Sequence, residues 1–80
     1  KNLAREWGTR GIRFNCVVPG FMNTAMSSKL SEDQRSRIYN RNSLKREVDI
    51  ESVASTTLFL CTSQANSITG QNFYVDCGTI

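Results

Sequence analysis

Eighty residues leave room for one domain at most, and a chain of this size buries only roughly 60–65% of its unfolded surface, so its stability is marginal. Its 39% hydrophobic and 21% charged residues, with one Pro and five Gly, exclude collagen-like and low-complexity classes. The net charge of +3 is spread among acids except between positions 29 and 46. There Lys29, Arg35, Arg37, Arg41, Lys45 and Arg46 face only Glu32 and Asp33, which makes either a solvated helix face or a lure for an anionic substrate, a cofactor phosphate or an acidic partner.

Positions 1–7 carry Leu3, Ala4 and Trp7 at helical spacing with no Ser, Thr, Asp or Asn cap ahead of them, so they read as the tail of a helix. Gly8 and Gly11 suit a helix stop and a tight reversal. Positions 12–18 (Ile-Arg-Phe-Asn-Cys-Val-Val) alternate and then turn continuously apolar before Pro19-Gly20. That pattern predicts a parallel strand covered on both faces, with Pro19 marking its end.

From 21 to 47 the pattern is weak and polar, apart from the capping box Ser31-Glu32-Asp33-Gln34 followed by Arg35, Ile38 and Tyr39, which predicts a short exposed helix. Asp49 is placed to cap a stronger helix whose buried stripe is expected at Ile50, Val53, Ala54, Leu58 and Cys61, widened by Phe59 and Leu60, stopping near Ser63. Positions 72–76 (Asn-Phe-Tyr-Val-Asp), between Gly70 and Gly78, predict a second strand. The expected fold is α/β: a parallel βαβ unit with a lid inserted at about 23–47. Such a unit needs further strands and helices to cover it, so the sequence reads as part of a larger domain and, alone, as unfolded or prone to aggregate.

Cys16, Cys61 and Cys77 are odd in number with no C-x-x-C pair, and there is no His. Neither a disulfide framework nor a zinc site is encoded, and buried free thiols are expected. No apolar run approaches a membrane span of about 20 residues, and positions 1–7 lack the apolar core of a signal peptide, so a soluble, cytoplasmic protein is expected. The basic stretch comes with no aromatic platform or helix-turn-helix pattern, which argues against nucleic acid as its partner.

The run Leu3-Ala4-Arg5-Glu6-Trp7-Gly8 through Gly11-Ile12-Arg13-Phe14-Asn15-Cys16-Val17-Val18-Pro19-Gly20 closely resembles the segment that follows the active-site helix of short-chain dehydrogenases/reductases. Phe21-Met22-Asn23-Thr24 is similar to that family's loop after Pro-Gly. Val53-Ala54 with Leu58-Phe59-Leu60 resembles its next helix, and Ile68-Thr69-Gly70-Gln71 with Val75-Asp76-Cys77-Gly78 its last strand. The resemblance covers essentially the whole chain and implies the C-terminal βαβ portion of a Rossmann-type doubly wound parallel sheet. Two departures stand out: Cys77 occupies the first Gly position of the family's Val-Asp-Gly-Gly, and Ser43 stands where a Pro often precedes Leu-x-Arg. Cys77 is expected to be a packing substitution, with slight effects on the C-terminal turn and on lid rigidity.

The resemblance implies a parent oxidoreductase that interconverts an alcohol and a ketone with NAD or NADP. It also implies a small alcohol or carbonyl substrate, the remainder of the domain as a partner, and assembly into a homo-oligomer, dimer or tetramer. It places Pro19, Gly20, Met22 and Thr24 at the nicotinamide end of the cofactor and makes Met26, Leu30, Ile38 and Tyr39 candidate substrate neighbours in the lid. Leu3, Trp7, the helix after Asp49 and the last strand become candidate subunit interfaces. Core packing accounts for the lid and interface residues equally well. The family's catalytic Ser and Tyr-x-x-x-Lys lie upstream of Lys1, and Tyr39 and Tyr74 do not replace that Tyr, because Ser43 and Gly78 stand four residues after them. No catalytic residue is therefore expected in this stretch. A family member that has lost catalysis and serves as a binding or scaffold protein is the competing reading.

Overall fold

In the computed structural model, which describes residues 2–22 and 30–79, helix α1 (Asn2–Trp7) runs into a 3₁₀ turn at Gly8–Arg10. The reversal needs a left-handed residue, and Gly11 supplies it with φ 75°, its N–H donating to the Gly8 carbonyl at 3.0 Å. Strand β1 (Cys16–Pro19), helix α2 (Glu32–Asn40), helix α3 (Ile50–Leu60), a 3₁₀ turn at Ser63–Ala65 and strand β2 (Asn72–Val75) follow. The strands pair in parallel, Cys16 with Asn72 and Pro19 with Val75, so the α/β reading and the parallel crossover are observed.

Strand β1 is shorter at its start than expected and ends at Pro19, as expected. Cys16 donates its N–H to the Gln71 carbonyl and Gly20 donates to Val75, both at 2.9 Å. The even-numbered residues thus face β2, and the N–H that proline lacks falls on the other edge. Positions 12–15 leave the ladder because side chains take over. Phe14 donates its N–H to Thr69 Oγ1 at 3.0 Å, while Asn15 donates Nδ2 to the Ile68 carbonyl at 2.9 Å and accepts at Oδ1 from the Gln71 N–H at 3.1 Å.

Helix α3 starts where expected. Asp49 caps it, accepting from the Ser52 N–H at 3.1 Å and from the Ser52 hydroxyl at 2.8 Å. Its buried face, however, covers only part of the predicted stripe. Leu60 is buried and Val53 and Thr56 half-buried, whereas Ile50 and Leu58 stay 65% and 69% exposed. The helix is apolar around much of its circumference, and β1 covers only one side of it.

The Ser52 side chain holds the Asp49 carboxyl below its ordinary value of 3.8, against a smaller opposing effect of desolvation, with main-chain hydrogen bonds and Arg46 helping. A depressed folded-state pKa stabilises above the unfolded value and is lost as pH falls through the folded one. The start of α3 should therefore be unaffected between pH 7 and 5 and should fray below 3.8. Asp49→Asn, which caps without titrating, should abolish that acid-dependent step. Amide exchange at Ser52 across pH 3–6 checks this, and identical acid limbs in the two proteins would refute it.

The core is small: Ala4, Val48, Leu60 and Ala65 are its buried apolar residues among those described. The Cα radius of gyration is 15.6 Å, with extents of 49 × 22 × 21 Å, against about 12 Å for a compact chain of this length. The thiols depart from expectation for the same reason. Cys16 and Cys61 are exposed and Cys77 is half-buried, because a two-stranded sheet covers little. Among the described residues no helix is long and apolar enough to cross a membrane.

Candidate functional site

The register puts Val17 and Phe73 on one face of the sheet and Val18 and Tyr74 on the other. Val17 faces α3, sharing a cavity of about 410 Å³ with Arg13, Asn15, Thr57, Leu60 and Cys61. On the opposite side, at the carboxyl ends of both strands, a groove of about 390 Å³ lies between Val18, Pro19, Gly20 and Phe21 on one wall and Ile38 of α2 with its C-cap Arg41 on another. Tyr74, Asp76 and Thr79 complete it. Open α/β sheets bind ligands beyond the carboxyl ends of their strands.

Helix α2 is set by its capping box as the sequence predicts: Gln34 N–H donates to Ser31 Oγ at 3.2 Å, and Ser31 N–H donates to Gln34 Oε1 at 2.9 Å. Arg35, Ile38 and Tyr39, spaced three and four apart, are its half-buried residues. Tyr39 meets Phe21 edge to face with ring centroids 5.8 Å apart. Helix α2 thereby packs against the segment that follows Pro19-Gly20.

Pro19, Gly20 and Ile38 line the groove together, and Tyr39 reaches it through Phe21. Met22 lies elsewhere, in a cavity of about 590 Å³ formed with residues 46–51 at the start of α3. Leu30 is half-buried just before α2. Thr24 and Met26 lie outside the described residues. Gly20 is held by its own fold: a Cβ there would lie 2.9 Å from both Asp76 Cα and Asp76 Cβ and 3.3 Å from Val48 Cγ2. Its N–H is committed to Val75, so it offers a ligand only a bare surface and its carbonyl.

The basic stretch divides by task. Lys45 Nζ donates to the Asn40 carbonyl at the end of α2, and Arg46 Nη1 donates to the Glu47 carbonyl at 3.2 Å and pairs with Asp49 at 3.4 Å. Arg41 brings positive charge to the groove, opposite Asp76. Asp76 Oδ1 already accepts the Gly78 and Thr79 N–H groups at 2.9 and 3.3 Å. Arg41, Tyr74, Asp76 and Thr79 were not among the residues predicted for the site. The charge of Arg41 and the Val75-Asp76 strand end were visible in the sequence, but not their convergence.

Cys77, the departure from the family pattern, adopts φ 57°, and Gly78 follows with φ 79°. The left-handed turn that glycine would favour is kept with a thiol in its place. The Cys77 sulfur lies 3.6 Å from the Glu47 carbonyl.

Residues 1–79 match the family model described as Enoyl-(Acyl carrier protein) reductase. The 3-oxoacyl-[acyl-carrier-protein] reductase FabG of Salmonella typhimurium (strain LT2) is 41% identical over 78 residues, which are 98% of this chain and 32% of that protein. The protein of the same name from Rickettsia felis is 41% identical over 80 residues, 100% of this chain and 33% of its own length. Nodulation protein G of Rhizobium sp. (strain N33) is 38% identical over 78 residues, 98% and 32% of the two chains. The chain thus spans about a third of the length of these curated relatives.

Proposed function

The chain belongs to the short-chain dehydrogenase/reductase family, and from that premise we propose that it closes the nicotinamide side of an NAD- or NADP-dependent oxidoreductase acting on an alcohol or ketone. The observation that carries this reading is the groove at the carboxyl ends of β1 and β2, where Pro19 and Gly20 meet the lid helix α2. In this proposal the two strands belong to a larger doubly wound sheet, and 1–80 is the C-terminal portion of a single Rossmann-type domain with its lid at 23–47.

The residues present suit such a cofactor. Val18, Pro19 and Ile38 give an apolar wall for a flat ring, and we assign the carboxamide to main-chain groups of the segment that follows Phe21. When bound, the nicotinamide supplies or accepts the hydride. The protein's part in this segment is to orient the ring and, with α2, to exclude water. Thr24 adds a hydroxyl for the carboxamide or a cofactor phosphate, and Met26, Leu30, Ile38 and Tyr39 line the substrate side. The relatives' names point to 3-oxoacyl thioesters as a substrate class to try first. Ile50, Leu58 and Phe59 on α3 and Tyr74 on β2 are exposed, and we assign them to contacts with the rest of the domain or with a second subunit of a homo-oligomer.

The test uses the full-length protein: titration with NADH and NADPH, then cofactor oxidation on adding a 3-oxoacyl thioester. Thr24→Ala should weaken cofactor binding by about 1 kcal/mol, the scale of one hydrogen bond. Failure to bind either nucleotide would refute the proposal, and binding without turnover on any carbonyl substrate would favour a scaffold role.

A further inference from the structure

The end of α2 and the end of β2 are joined by hydrogen bonds that neither element requires for its own formation. Ser43 donates its N–H to the Gly78 carbonyl at 3.1 Å, and its hydroxyl to the same carbonyl at 3.0 Å. Leu44 N–H donates to the Cys77 carbonyl at 3.0 Å, and Asn42 and Thr79 form an antiparallel bridge.

Both sides of this junction are built in advance. Asn42, only 4% exposed, shapes the lid side: its Oδ1 accepts from the Lys45 N–H at 2.6 Å and its Nδ2 donates to the Arg46 carbonyl at 2.9 Å. Lys45 takes φ 57° to complete that turn. On the other side the left-handed pair Cys77 and Gly78, tied back by Asp76, present their carbonyls to Ser43 and Leu44. Contact is close enough that a Cβ on Gly78 would stand 2.7 Å from Ser43 Oγ.

Three residues of α2 and its cap, Ile38, Tyr39 and Arg41, reach the groove or the Phe21 ring beside it. The position of α2 therefore sets the shape of the groove, and the junction lies two residues past Arg41. We propose that Ser43 is a positioning residue that latches α2 across the carboxyl ends of β1 and β2, holding Ile38 and Arg41 against the occupant of the groove. The kinetic part of this rests on the reading of the groove given under the proposed function. The latch itself rests on the bonds alone.

The two bonds from Ser43 can be removed separately. Ser43→Thr keeps both donors, Ser43→Ala removes the hydroxyl, and Ser43→Pro removes the hydroxyl and the N–H. In the full-length protein, amide exchange across α2 should be unchanged in the Thr variant, about threefold faster with Ala and about tenfold faster with Pro. With saturating N-acetylcysteamine thioester of acetoacetate as co-substrate, KM for the nicotinamide nucleotide should rise in the same order, to about fivefold, with kcat within about twofold, since the occupant of the groove is held less well while the chemistry is untouched.

Should Ser43→Pro fail to fold, the Ala and Thr pair still decides. Unchanged α2 exchange in the Ala and Pro variants overturns the latch, and faster exchange with unchanged KM overturns the positioning role. If the wild-type protein reduces no thioester, the proposed function fails, and the exchange arm alone upholds or overturns the latch.

Discussion

Gly20→Ala in the full-length protein is expected to lose about 3 kcal/mol of folding stability, the upper end for forcing an extra carbon into a packed site. The atoms that the new methyl would meet at 2.9 Å are Asp76 Cα and Cβ, one backbone and the other next to it, with Val48 Cγ2 at 3.3 Å behind them. None of these is the far end of a flexible side chain, so the strand ends must splay. Splaying would pull the Gly20 N–H from the Val75 carbonyl and the Val48 N–H from the Phe21 carbonyl, both now at 2.9 Å. The groove beside them would open, so under the proposed function nicotinamide affinity should fall together with stability. Chemical denaturation of wild type and variant measures the first effect. A loss under about 1 kcal/mol would show that the chain relaxes around the methyl and that Gly20 is not fixed by its neighbours.

Arg13→Met should cost about 2 kcal/mol, the scale of charge-assisted hydrogen bonds, because the Leu60 carbonyl loses its donor while the Ile68 carbonyl keeps only Asn15. The last turn of α3 contains no basic residue, and helix ends leave carbonyls that need a donor. Arg13 supplies it from a distant part of the chain, donating Nη2 to the Leu60 carbonyl at 2.9 Å and Nη1 to the Ile68 carbonyl at 3.3 Å. One planar fork thus ties the end of α3 and the approach to β2 to the segment that leads into β1. Methionine keeps the apolar stem and removes only the fork. Lysine should recover about half the loss, because a single ammonium does not span both acceptors in the fixed geometry of a guanidinium. Equal stability of the Met variant and wild type would show that water satisfies the Leu60 carbonyl and that the fork adds nothing.

Several features were decided by residues close in sequence. The caps at Ser31 and Asp49, the left-handed Gly11 and the apolar strand ends before Pro19 and around Phe73 depend on local geometry, so each could be placed from neighbouring residue types. The family resemblance was legible for a related reason. Its motifs mark turns and strand ends, where few residue types fit.

Only the tertiary structure decided which side of α3 is buried, because its apolar residues surround the helix and the position of β1 selects Val53 and Leu60 over Ile50 and Leu58. It also decided that Asn15 and Arg13 use side chains where the pattern suggested a longer strand. Both bond to carbonyls about 50 residues away, beyond the reach of any local pattern. The site divides in the same way. Pro19 and Gly20 are recognisable as a strand-ending pair, but their meeting with Ile38, Arg41 and Asp76 follows from the crossover and from the Ser43 to Gly78 junction. Met22, two residues past Gly20, turns toward the start of α3 instead. Local sequence set the conformation of each element, and long-range hydrogen bonds and packing set which elements share a groove, because those contacts exist only once the chain has returned on itself.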